Sequence, residues 1–226
     1  IYFLCAYGII NNNGSPDQGP CRLFDQESFD IFDYLLDIKN YYKRANSLDI
    51  NIEVSCELFY TMYTSIVKAL QSCPTTCSKE RQCDVEFNGD FGFAHAETLI
   101  PILGYFGFYG DSDKGYANND PKQAINANNY EHLKEKRKFK GGYFSPMGGN
   151  ILFAVGCSVD GSGEDVVMTL LHERPISLPC CQGTVLNKNS SYPVCTKEQF
   201  IRCFQNYALP CDYFNLCSEE YKCDHS

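Results

Sequence analysis

Phe91-Gly92-Phe93-Ala94-His95-Ala96-Glu97-Thr98-Leu99-Ile100 joins a short aromatic run to an apolar, helix-like one, with a histidine and a carboxylate at the junction. The pattern reads as strand, turn and helix start. A strand feeding a helix N-terminus leaves backbone N–H groups unpaired and sets the positive end of the helix dipole at the turn, which favours a bound anion. His95 can add a donor there and Glu97 a proton. Those two groups suit the holding of a phosphate and the protonation of an ester's leaving oxygen. The same residues also fit a histidine capping a buried turn, followed by an ordinary first-turn acid.

Helix and strand signals alternate on either side of this junction. Ile1 to Ile10 reads as a strand, followed to Pro20 by a loop rich in Asn, Gly and Pro. Apolar residues recur at Phe29, Phe32, Leu35, Leu36, Ile38 and Tyr42, which predicts an amphipathic helix with Asp25 or Ser28 at its start. A second helix is expected from Cys56 to Leu70, then a disulfide-tied loop from Cys73 to Asp90, the motif strand, and a helix from Thr98 to Tyr105. Gly110 to Asn119 reads as a surface loop and Ala124 to Lys138 as helix. Asn150 to Gly156 and Val166 to Leu171 read as apolar strands separated by the turn Asp160-Gly161-Ser162-Gly163. No internal repeat is apparent, and the alternation indicates an α/β chain with a largely buried sheet.

Composition bounds the setting. With 226 residues, 44% of them hydrophobic and 14% aromatic, the chain can bury a sizeable core, so disorder is not expected. Fourteen cysteines scattered from Cys5 to Cys223 point to disulfides in an oxidising compartment, secreted or lumenal. Clusters at Cys73, Cys77 and Cys83, at Cys180 and Cys181, and from Cys195 to Cys223 also admit a zinc reading. That reading lacks paired Cys-x-x-Cys knuckles and histidines at ligand spacing, so no metal and no cofactor is expected. The sequons at Asn13 and Asn189 fit N-glycosylation on the same route, although Pro16 disfavours the first.

No apolar run approaches the roughly 18 residues that span a bilayer, so no membrane partner is expected. A net charge of −9 argues against a nucleic-acid partner and requires any phosphate pocket to be locally basic. The densest basic run, Lys134 to Lys140, could supply that potential, with Arg137 and Lys140 favoured, or could be a solvated helix end whose cations offset the dipole. Leu170-Leu171-His172-Glu173-Arg174 lacks the second histidine of His-Glu-x-x-His, with Ile176 standing where it should be, so His172 reads as structural.

His95-Ala96-Glu97 followed by Thr98 to Leu103 resembles the C-terminal catalytic motif of the histidine acid phosphatases, in the form used by their multiple inositol polyphosphate phosphatase branch. The similarity continues upstream through Phe24-Asp25, Tyr34-Leu35, Lys39, Tyr41 to Arg44 and Cys56-x-Leu58-Phe59. Downstream it runs through Arg137 to Gly142, Pro146, Asn150 to Phe153, and Leu171 to Ile176 with Pro179-Cys180. Two departures stand out. Ala94 occupies a position usually held by Gly, and the family's Arg-His-Gly motif, which carries the phosphorylated histidine, is absent from these residues.

The resemblance implies a three-layer α/β sandwich of histidine-phosphatase type with a helical cap, disulfide-rich, of which residues 1–226 form the C-terminal portion of a single domain. It implies hydrolysis of a small phosphorylated substrate, an inositol polyphosphate in that branch, through a phosphohistidine and without a metal. His95 would hold phosphate oxygens, and Glu97 would protonate the leaving alcohol and then activate water. The nucleophile would come from a companion chain of the same precursor, without which the apolar run at Ile1 to Ala6 would be an unpaired strand edge. The alternative is a non-catalytic extracellular binding, storage or structural protein that kept the fold, and the retained pair His95 and Glu97 disfavours it.

Overall fold

The computed structural model describes residues 2–11, 19–73, 89–108, 124–158, 163–181, 183–186, 190–208 and 211–212. Asn13, Asn189, the expected loop from Gly110 to Asn119 and most of the expected turn at Asp160 to Gly163 lie outside them. Among the described residues, α1 (Tyr2–Asn11), α2 (Gln26–Arg44), α3 (Asp49–Glu53) and α4 (Cys56–Gln71) precede α5 (Ala96–Tyr105). After it come α6 (Tyr130–Leu133), α7 (Gly141–Phe144), β1 (Ile151–Gly156), β2 (Val166–Leu171), β3 (Arg174–Ile176), β4 (Cys195–Thr196) and α8 (Lys197–Phe204).

α2 follows its sequence signal closely. The Asp25 carboxylate accepts the Ser28 backbone N–H at 2.9 Å, which satisfies one of the helix's unpaired donors. The helix buries Tyr34, Asp37 and Tyr41. In α4, Phe59, Ile66 and Leu70 are buried at helical spacing. Phe59 stacks on Tyr105 at a ring-centroid distance of 4.7 Å and meets Phe106 and Phe204 at 5.3 and 5.9 Å, so one aromatic cluster ties α4, the end of α5 and α8 together. α8 starts on a reciprocal capping box between Thr196 and Gln199.

The sheet is antiparallel and small. β1 pairs with β2 in register from Ile151 with Leu171 to Gly156 with Val166, while β3 and β4 pair with different parts of β2. β2 alternates half-buried and buried residues, the period-two pattern of a strand with one covered face. The chain is therefore mixed α/β with a half-covered antiparallel sheet instead of the largely buried one expected from the alternation.

Three local expectations change. Where a strand is expected from Ile1 to Ile10, Tyr2–Asn11 form helix α1, because a nearly unbroken apolar run carries neither a period of two nor of 3.6. Cys5 fastens this helix to Cys21 in a 3-10 turn, Gly19–Leu23, and is itself buried. Residues 91–94 make no strand ladder. Helix over Ala124 to Lys138 is reduced to the 3-10 turn Ala127–Asn129 and the single turn of α6. There the Asn126 side chain accepts the Asn128 N–H, and the Asn129 amide bonds Ala124, local bonds that compete with continuous helix.

Ten described cysteines form five disulfides: Cys5–Cys21, Cys56–Cys211, Cys73–Cys157, Cys180–Cys203 and Cys181–Cys195. This density fits an oxidising compartment. No described helix is long and apolar enough to cross a membrane.

A buried polar cluster joins α2 to the loop before α7. Arg137 donates from Nε to Asp37 and from Nη2 to Asp33, both at 2.6 Å, and from Nη1 to the Lys134 carbonyl. Asp37 also accepts the Gly141 N–H at 2.7 Å, and a Cβ at residue 141 would lie 2.9 Å from that carboxylate oxygen. Burial pushes the Asp37 carboxyl up to about 6, against the hydrogen bonds from Arg137 and Gly141, which pull it down.

A carboxyl raised in the folded state binds more protons there than in the unfolded chain between roughly pH 4 and 6. Its contribution to stability is full below that window and is lost as pH rises through it. Denaturant unfolding of the wild type and Asp37→Asn across this range should show their stability difference declining by up to about 3 kcal/mol. A difference that stays flat with pH would contradict this account.

Candidate active site

The start of α5 sets the geometry. His95 is the N-cap residue in extended conformation, and its carbonyl accepts the N–H groups of Thr98 and Leu99, each at 3.0 Å. Its imidazole makes no capping hydrogen bond and is exposed, so a histidine capping a buried turn does not describe it. Glu97 sits in the first turn of the helix. Its side chain is 60% exposed, and Oε1 lies 2.7 Å from Arg44 Nη2. Pro101 has no N–H for the Glu97 carbonyl, so that first turn carries one hydrogen bond fewer than an ordinary helix. The rest of the helix is anchored by the burial of Ile100, Ile102, Leu103 and Tyr105.

Before the helix, residues 89–94 run exposed. Asp90 accepts the Ser65 hydroxyl at 2.8 Å, which ties the segment to α4. Phe91 and Phe93 lie on the surface, 83% and 96% exposed.

The two basic candidates stand elsewhere. Arg137 is buried and occupied by Asp33 and Asp37, with its guanidinium 5.2 Å from the Tyr34 ring centroid. Lys140 is half-buried and precedes α7, where its carbonyl accepts the N–H groups of Tyr143 and Phe144. The basic residue that reaches the motif is Arg44, at the end of α2 and outside the run Lys134 to Lys140. A sequence signal for it exists in the spacing of Asp33, Asp37, Asn40 and Arg44, which puts four polar side chains on one face of a helix.

His172, in the β2–β3 turn, accepts the Asn150 N–H at Nδ1 over 3.1 Å and pairs Nε2 with the Tyr143 carbonyl at 2.9 Å. Both ring nitrogens bond backbone, a bracing role for a residue held at φ 49°. The sulfurs of Cys180, Cys181 and Cys203 lie close together, as do those of Cys73 and Cys157 beside Asp165. All five sulfurs are in disulfides and offer no thiolate in this state.

No family model matches the chain. Curated relatives do. Over 178 residues the chain is 32% identical to multiple inositol polyphosphate phosphatase 1 of Gallus gallus, covering 77% of this chain and 35% of that protein. The chain is homologous to multiple inositol polyphosphate phosphatase 1. The Homo sapiens protein of that name is 29% identical over 188 residues, 81% of this chain and 34% of its own length. The Dictyostelium discoideum one is 24% identical over 220 residues, 80% of this chain and 32% of its own. The chain thus spans about a third of the length of the multiple inositol polyphosphate phosphatases that it matches.

Proposed function

We propose that this chain supplies the acid-bearing part of a secreted histidine-type phosphatase that hydrolyses phosphomonoesters, inositol polyphosphates among them. The observation that carries the reading is the exposed pair His95 and Glu97 at the start of α5, where a histidine donor, a helix N-terminus and a carboxyl group are available together. His95 contacts phosphate oxygens. Glu97 passes its proton to the leaving alcohol and afterwards takes one from the attacking water. A histidine outside this chain forms the phosphohistidine, and no metal takes part.

The same proposal gives exposed residues 89–94 a role. They form a strand of a three-layer sandwich once a companion segment of the same precursor pairs with them, which also covers Phe91 and Phe93. Arg137 acts by holding the basic loop to α2, and Lys140 lends that loop its positive potential.

The test is Glu97→Gln in the assembled protein, which keeps size and hydrogen bonding and removes the acid. Turnover of phosphomonoesters with poor leaving groups should fall roughly 10²-fold or more, while esters with good leaving groups suffer less. Equal loss on both would make Glu97 structural.

A further inference from the structure

Arg44 and Glu97 form the one ion pair between α2 and the motif among the described residues, at 2.7 Å. The guanidinium is held from behind as well, because Nη1 donates to Asn40 Oδ1 at 2.7 Å. Asn40 belongs to the polar face of α2 on which Asp33 and Asp37 fix Arg137 and Asp37 fixes the Gly141 N–H. Arg44 is therefore braced by its own helix while its far edge points at the site.

Two features make this pairing more than a surface salt bridge. An arginine carries five N–H donors in a planar fork, and these two contacts use two of them. The Arg44 side chain is 22% exposed and its partner 60%, so the contact opens to solvent beside the motif. A planar guanidinium with spare donors is matched to phosphate, which it can bind through two parallel hydrogen bonds. In addition, a carboxyl oxygen engaged by a guanidinium is not open to a leaving oxygen, so the pairing has to part before Glu97 can pass on a proton.

We propose that Arg44 is a phosphate-contacting residue of this site. In the free protein its fork rests on Glu97. When a phosphomonoester enters, the fork passes to the phosphate oxygens, with Asn40 as the pivot, and Glu97 takes a proton from solvent. That proton goes to the leaving oxygen, Glu97 then takes one from the attacking water and gives it up to solvent, and once the phosphate is released Arg44 pairs with the Glu97 carboxylate again. The proposal rests on the phosphatase reading for its last step, and on geometry alone for phosphate contact.

Inorganic phosphate is the probe, titrated by calorimetry into the intact protein that carries this chain. Arg44→Gln should weaken phosphate binding about 10-fold or more. Arg44→Lys, which keeps the charge and loses the fork, should recover part of it. In turnover, Arg44→Gln should raise KM more than it lowers kcat, the opposite of Glu97→Gln. As a check that needs no substitution, the nitrogen resonances of the Arg44 side chain should move as phosphate saturates the protein.

Phosphate affinity and KM unchanged in a folded Arg44→Gln variant, or Arg44 resonances that stay still on saturation, would overturn the proposal. So would failure of the unsubstituted protein to bind phosphate. A protein that binds phosphate through Arg44 and hydrolyses no ester would keep this inference and sink the phosphatase reading. Ester hydrolysis with Arg44 indifferent would do the reverse.

Discussion

Removing the Cys56–Cys211 cross-link, by Cys56→Ala with Cys211→Ala, is expected to cost about 5 kcal/mol of stability. The bond joins the first residue of α4 to a residue beyond α8, 155 positions apart, so it closes a larger loop than any other described disulfide. A cross-link stabilises chiefly by depriving the unfolded chain of conformations, and the effect grows with the logarithm of loop length. On the same relation Cys181–Cys195, only 14 positions apart, is worth about 3 kcal/mol. Denaturant unfolding of the two double variants should rank them in that order. An equal or reversed ranking would show that the covalent tie acts on the folded state and not through the loop it closes.

Replacing Arg137 with Ala is expected to cost about 3–5 kcal/mol at neutral pH. Its two carboxylate partners come from α2, and Asp37 is almost wholly buried, so truncation leaves a buried charge with the Gly141 N–H as its donor among the described residues. The loss should shrink as pH falls toward about 6, because in the variant the Asp37 carboxyl, no longer pulled down by Arg137, takes up a proton above that value and no longer needs a cation. Measured at pH 5 and pH 7.5, a destabilisation larger at the lower value would contradict the assignment. Surface pairs such as Lys134 with Glu131 set the contrast, since solvent screens exposed pairs and their loss changes stability little.

These effects fall on residues whose partners are far away in the chain, and that distance explains what the sequence does and does not disclose. α2 is legible because its signals are local: an aspartate cap three residues from Ser28, followed by apolar residues at helical spacing. The same holds for α4, for α5, and for β1 and β2, whose bounds differ from expectation by two residues at most. His95 and Glu97 are legible as a pair because both lie in one turn. The partnership of Arg137 with Asp37 spans 100 positions and that of Arg44 with Glu97 spans 53, and no local pattern announces either. A basic run in a sequence therefore looks like a surface until the fold shows that one of its members is buried against acids.

α1 illustrates a different limit. Between Tyr2 and Tyr7 every residue is apolar or aromatic, so a helix and a strand are equally consistent with the pattern. The structure resolves it through Cys5, whose bond to Cys21 gives the helix a fixed point. Sheet order is likewise invisible in sequence, since β2 pairs with three strands by contacts that short-range spacing cannot encode.

The polar face of α2 also constrains how this protein can vary. Because Asp33, Asp37, Asn40 and Arg44 act along one line, each extra residue between Asp37 and Asn40 would turn everything beyond it by about 100° and advance it about 1.5 Å. Arg44 would swing away from Glu97 while Arg137 stayed where it was. Exposed side chains elsewhere on this helix are free to drift in identity, whereas Tyr34 and Tyr41 are held by the core, and its length is phase-locked, so variants of this region should accumulate surface substitutions and exclude single-residue insertions or deletions.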